Sequence, residues 1–250
     1  MSAAPLTIIG SYLSPYVRKV LVLLHLKGIE YRIDPLIPFM GDERFAALSP
    51  LRRIPVLVDG DLVLCDSSVI CQYLEERHPS PALYPAGLAD RARARWLEEF
   101  ADTRMGDVFI WQLYNQVAIN PHVWGKPTDP EILRKTLEED MPTVLDYLEA
   151  QLPEQGWFFG ELSIADISVA AFFRNAGFAR YQTDAARWPK TAAFVAQALS
   201  LEAFERLKSF ENKTLRTPIP QHRNALAELG APLTAETLGT TTPQRGVIRT

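Results

Sequence analysis

Residues 6–28 read LTIIGSYLSPYVRKVLVLLHLKG, and the fold turns on how this stretch is read. Leu6 to Gly10 is a short apolar run with β-branched residues, the pattern of a buried strand. Ser14-Pro15 then opens a helical pattern in which Val17, Val20, Leu21 and Leu24 recur on one face. Proline suits the first helical position, where its missing N–H would have had no partner, and Gly28 suits the residue just past the helix end. Ile29 to Ile33 follows as a second strand, so the stretch predicts a βαβ unit.

Working outward, a loop from Pro35 to Gly41 leads to a short helix expected over Asp42 to Leu48. Pro55-Val56-Leu57-Val58 and Leu62-Val63-Leu64 flank Asp59-Gly60-Asp61, a hairpin signal. Asp66-Ser67-Ser68 offers capping side chains before an amphipathic helix over Ser67 to Arg77, which stops at His78-Pro79-Ser80-Pro81. The predicted order is βαβαββα. From His78 to Ala89 the chain is rich in proline and small residues, which marks a domain boundary. Every later periodic segment is helical: 90–119, 130–151, 163–178 and 188–207, with Ser163 to Asp166 in the form of an N-terminal capping box. From Asn212 to Thr250 periodicity weakens, apart from a helical hint over Asn224 to Leu229, and the segment reads as a surface appendage.

Composition bounds the function. With 250 residues and 47% hydrophobic content, the chain can fill one large core or two modest ones. A net charge of -4 gives no global positive field, which excludes nucleic acid and an anionic membrane surface as expected partners. The two cysteines, Cys65 and Cys71, fit neither a CxxC redox pair nor a zinc knuckle, so neither a disulfide scaffold nor a metal centre is expected. The opening MSAAPLTIIG lacks a basic stretch followed by an apolar one, and no run of eighteen apolar residues occurs; a cytoplasmic protein is expected.

Three segments can carry chemistry. At the start of the first helix, free N–H groups and the positive dipole end favour negative charge, such as a thiolate. Moving a thiol pKa from about 8.5 toward 7 takes roughly 2 kcal/mol, which a serine hydroxyl and a helix N-terminus can supply. Ser14 is the leading donor, with Ser11 and Tyr12 as competitors; Ser14 equally suits a simple cap. At Arg52-Arg53-Ile54-Pro55, a proline at the start of a strand suggests an edge or a cis bond, leaving the Ile54 backbone to pair with an extended peptide. At Asp66-Ser67, a carboxylate and a hydroxyl beside free helix amides suit a ligand with both a carboxylate and an ammonium group, and capping alone would also account for them.

Together these segments resemble the glutathione transferase family over about residues 6 to 210, through Ser14-Pro15, Gly28, Ser49-Pro50-Leu51-Arg52-Arg53-Ile54-Pro55-Val56-Leu57, Asp66-Ser67-Ser68-Val69-Ile70 and Leu83-Tyr84-Pro85. The resemblance implies an α/β plus all-α fold class: a thioredoxin-like glutathione-binding domain over 1–80, an all-helical domain over 88–211 and an extension over 212–250. It implies a serine-type member, similar to the tau, theta and zeta classes, in which Ser14 activates the thiol of glutathione as co-substrate. It further implies a cis Ile54-Pro55 bond, the Ile54 backbone on the cysteinyl part, Asp66 and Ser67 on the γ-glutamyl end, and Arg53 at the glycine carboxylate. A second-substrate pocket is expected among Tyr12, Leu13, Phe39, Arg104, Phe109, Trp111 and Tyr114 for a small hydrophobic electrophile. The family resemblance also implies a homodimer. The alternatives are a noncatalytic carrier of glutathione or apolar ligands, and the same site used for peroxide reduction, dehalogenation, isomerisation or ether cleavage.

Overall fold

The first part of the chain has the predicted order. In the computed structural model, which describes residues 5–244, it comprises β1 (Leu6–Ile9), α1 (Pro15–Leu26), β2 (Tyr31–Asp34), a 3-10 turn (Pro38–Met40), α2 (Glu43–Leu48), β3 (Val56–Asp59), β4 (Leu62–Cys65) and α3 (Ser67–Arg77). Residues 1–4 of the expected first domain and 245–250 of the expected extension lie outside the described residues. The sheet order is β2-β1-β3-β4, with β1 parallel to β2 and antiparallel to β3. Ile8 pairs with both Ile33 and Leu57, which puts three fully buried side chains in one row across the sheet. Ile9 and Val56, also register partners, pack instead against Leu36 and Phe45 of the α2 side, as the alternation of strand side chains requires.

β2 starts two residues later than the periodicity suggests. Gly28 takes φ +65°, its N–H donates to the His25 carbonyl at 3.1 Å, and the Ile29 N–H donates to the Leu24 carbonyl at 2.9 Å. Ile29 therefore closes α1 and is not part of the strand.

The described residues form two compact units, 5–81 with 202–244 and 82–201. The second holds α4 (Leu88–Phe100), a continuing wide-turn helical segment (Ala101–Ile119), α5 (Asn120–Val123), α6 (Pro130–Lys135), a second wide segment (Thr136–Asp140), α7 (Met141–Gln151), α8 (Ile164–Phe178) and α9 (Pro189–Leu199). Its centre is α8, buried from Ile164 to Phe173 along every face. A helix that is apolar all round has to be enclosed by its neighbours.

The helix expected over 188–207 is two helices. α9 ends at Leu199 and α10 (Glu202–Arg216) begins after Ser200-Leu201. Each buries one apolar stripe, Phe194 and Ala198 in α9, Phe204 and Leu207 in α10, so the periodicity runs through the break unmarked. α10 belongs with the first unit, contrary to the expected 88–211 boundary. Arg18 of α1 donates from Nε to Glu211 Oε1 at 2.5 Å, with both side chains shut off from solvent. α11 (His222–Glu228) packs on α10, and the described chain from Pro232 to Gln244 stays bonded to the first unit.

Candidate functional site

Ser14 occupies the N-cap of α1, with extended backbone and Oγ accepting from the Val17 N–H at 3.4 Å. It is half-buried, and the first turn carries no acidic side chain. The helix dipole is thus not neutralised from within its own turn. The turn before it is fixed from three sides. The Gly10 N–H donates to the Asp34 carbonyl at 2.9 Å, Ser11 is buried with Oγ accepting from the Leu13 N–H at 3.2 Å, and Arg18 Nη2 donates to the Tyr12 carbonyl at 3.2 Å.

Gly10 also brings two of the expected segments together. A Cβ there would lie 2.5 Å from Val17 Cγ2 and 3.2 Å from Ile54 Cβ, so only glycine lets the turn leading to Ser14 approach the Ile54 loop. The Ile54–Pro55 bond is cis, and neither backbone group of Ile54 bonds to another described residue. Ser49 holds the approach to that loop, accepting from the Arg53 N–H at 3.0 Å and donating to the Arg53 carbonyl at 2.9 Å. Arg52, at φ +51°, donates to the Gly41 carbonyl at 3.1 Å and to Glu43 at 2.8 Å, while the neighbouring Arg53 is exposed.

The α3 start is the third component. Asp66, at φ +83°, accepts from the Ser68 and Val69 N–H groups at 2.9 and 3.2 Å, both on Oδ1; Oδ2 takes no bond from a described residue. Ser67 beside it is buried. Lys19 Nζ, from α1, donates to Ser68 Oγ at 3.0 Å although the residue is only 1% exposed, which ties the start of α3 to the first helix. Lys19 was not singled out from sequence; its signal is the Arg18-Lys19 pair inside a mainly apolar helix.

Several expected pocket residues turn inward. Tyr12 is 1% exposed, its ring 5.0 Å from that of Phe210, and burial holds its phenol far above the ordinary pKa. It is a neutral core residue of the first unit. Phe109 is fully buried against Phe173, ring centroids 5.2 Å apart, and is core of the second unit. Tyr114 is buried too, its ring 6.4 Å from that of Phe178. Arg104 pairs with Asp140 at 3.0 Å. In the first unit Leu13 and Phe39 are half-buried, as is Trp111 in the second. Among the described residues, no cluster of His, Cys, Asp or Glu is arranged to hold a metal ion, and no helix is long and apolar enough to cross a membrane.

Residues 8–82 match the sequence model of the glutathione S-transferase N-terminal domain, and residues 92–197 that of the C-terminal domain. Glutathione S-transferase 3 of Zea mays is 33% identical over 67% of this chain and 76% of its own length. Maleylacetoacetate isomerase of Pseudomonas aeruginosa is 31% identical over 75% of this chain and 88% of its own length. Among solved structures, a glutathione S-transferase from Rhodospirillum rubrum superposes with a TM-score of 0.77 at 26% identity, covering 88% of this chain and 99% of that one. The chain therefore belongs to the glutathione S-transferase family, and it is an enzyme of that class.

Proposed function

We propose that the chain binds glutathione and holds its sulfur as a thiolate at the start of α1 for attack on a small hydrophobic electrophile. The observation that carries this reading is the state of Ser14. Its oxygen accepts one long bond, it keeps contact with solvent, and its hydroxyl proton can be donated to a sulfur held at the positive end of the helix dipole. Ile54, whose backbone groups have no partner among described residues, pairs with the cysteinyl residue of the tripeptide. Ser67, at the positive end of the α3 dipole, takes the γ-glutamyl carboxylate, Asp66 Oδ2 the ammonium, and Arg53 the glycine carboxylate. The thiol proton is lost to solvent when glutathione binds; in the chemical step the thiolate sulfur forms a bond to the electrophilic carbon, and either the leaving group departs with its bonding pair or the π-electron pair moves to the neighbouring atom and takes a proton from solvent.

The likeness to an isomerase favours a second use of the same thiolate, reversible addition to a conjugated double bond followed by expulsion of sulfur after rotation. A homodimer is also proposed. Leu62, Val63 and Val69 of the first unit, and Leu88 and Trp96 of the second, are large apolar side chains left exposed. Light scattering at micromolar concentration should give twice the chain mass; one chain mass would reject the dimer. The reading of Ser14 is tested by turnover with a generic aromatic electrophile. Ser14→Ala should lower kcat while glutathione still binds, and unchanged kcat would remove Ser14 from its role.

A further inference from the structure

The segment after α11 is bonded along its whole described length to the first unit. The Ile33 N–H donates to the Pro232 carbonyl at 2.8 Å and the Thr234 N–H to the Ile33 carbonyl at 3.0 Å, so this strap pairs with β2, an edge strand of the sheet. It then crosses to the loop ahead of α2. The Asp42 N–H donates to the Leu238 carbonyl at 2.8 Å, the Thr240 N–H to the Met40 carbonyl at 2.6 Å, and the Gln244 N–H to the Phe39 carbonyl at 2.6 Å. Arg44 Nη2 reaches back to the Thr237 carbonyl at 2.9 Å.

Asp34 is the joint between strap and site. It is 2% exposed, and its carboxylate accepts from Thr237 Oγ1 at 2.8 Å, the Leu238 N–H at 2.7 Å and Arg223 Nη1 at 3.4 Å. Its own carbonyl accepts from Gly10, the first residue of the turn that carries Ser14. Next to this joint, the Leu238 side chain packs on the cluster of Ile9, Leu36, Phe45 and Val56, on which Ile54 also packs. Arg52 completes the ring, linking Gly41 of the strapped loop to the stretch that runs into Ile54.

We infer that residues 232–244 are a positioning element for the glutathione pocket: strapping the 39–42 loop and the Asp34 joint keeps the Ile54 loop and the Ser14 turn in their binding geometry. This deepens the proposed function and rests on its placement of glutathione. With the strap undocked, a buried carboxylate loses two of its donors, Thr237 and Leu238, and the 39–42 loop its backbone partners, so the pocket spends part of its time unable to bind. Apparent affinity falls in proportion to the competent fraction, while molecules that have bound glutathione react as before. The strap thus acts on KM for glutathione and leaves kcat in place.

The experiment uses full-length protein with Leu238→Ala, and Thr237→Val as the milder variant should the first fail to fold. Glutathione affinity is read by calorimetry, and kcat and both KM values with a generic aromatic electrophile. The expected result is a rise of about five- to tenfold in Kd and KM for glutathione, corresponding to a competent fraction of roughly 10 to 20%. The KM for the electrophile and the kcat at saturating glutathione should stay within about twofold, and Leu238→Met should restore affinity. A strap that merely adds stability would lower the thermal midpoint and the active fraction with KM for glutathione unmoved, and that result would overturn the inference. Wild-type protein that fails to bind glutathione would instead overturn the underlying reading of the site, so the two failures are told apart by the first titration.

Discussion

The starts of α1 and α8 look alike in sequence, a serine before an apolar helix, and differ in how fully the serine is used. Ser163 is buried; its N–H and Oγ both donate to Asp166 Oδ2, at 2.8 and 2.7 Å, while Asp166 Oδ1 accepts from Phe158 at 3.0 Å. Burial outweighs these bonds and pushes the Asp166 pKa up. Ser14 has no acidic partner in its turn, one long cap bond and open solvent contact. On the proposed reading, the saturated and water-excluding cap at Ser163 serves folding, and the uncommitted donor and helix dipole at Ser14 serve chemistry.

The largest expected effect breaks the closed start. Asp166→Ala strands the buried donors of Ser163 and Phe158 at the mouth of the central helix, and should cost about 3 kcal/mol or more in chemical denaturation. Ser14→Ala comes next. Its loss should appear in turnover, with kcat down about 100-fold as for other oxyanion donors, and at most about 1 kcal/mol in stability. An equal loss of stability at both sites would erase the distinction. Ser163→Ala should cost about 1 to 2 kcal/mol and leave kcat per folded molecule unchanged, the reverse signature.

The smallest effect concerns a third helix start. His222 opens α11 with Nε2 2.9 Å from the Thr217 carbonyl, and burial lowers its pKa from the ordinary histidine value, a change that this hydrogen bond partly opposes. Its folded state disfavours the proton, so the unfolded chain binds more protons as the medium turns acidic. The associated stability is present above the unfolded histidine pKa and is lost as pH falls through the lower folded one. Thermal midpoints measured from neutral pH downward should show a decline that is reduced in His222→Leu.

The first unit was legible because its signals are local. Proline at the first position of α1, glycine at its end, the Asp59-Gly60-Asp61 turn and the capping residues of α3 each dictate backbone geometry within a few residues. What escaped the sequence reading is nonlocal. The burial of Tyr12 depends on Phe210, that of Lys19 is accompanied by a bond to Ser68, and the break between α9 and α10 is hidden because both helices keep an apolar stripe. The strap gave no periodic signal because it is held mainly by backbone bonds and a single carboxylate, Asp34.

On the proposed reading α1 begins in an anion site completed by Ser14. It is tested most directly by titrating the thiol of bound glutathione through its thiolate absorbance, in wild type and in Ser14→Ala. The expected result is a wild-type pKa well below about 8.5 that returns toward that value in the variant. A bound thiol that titrates at or above about 8.5 in the wild type would contradict the account.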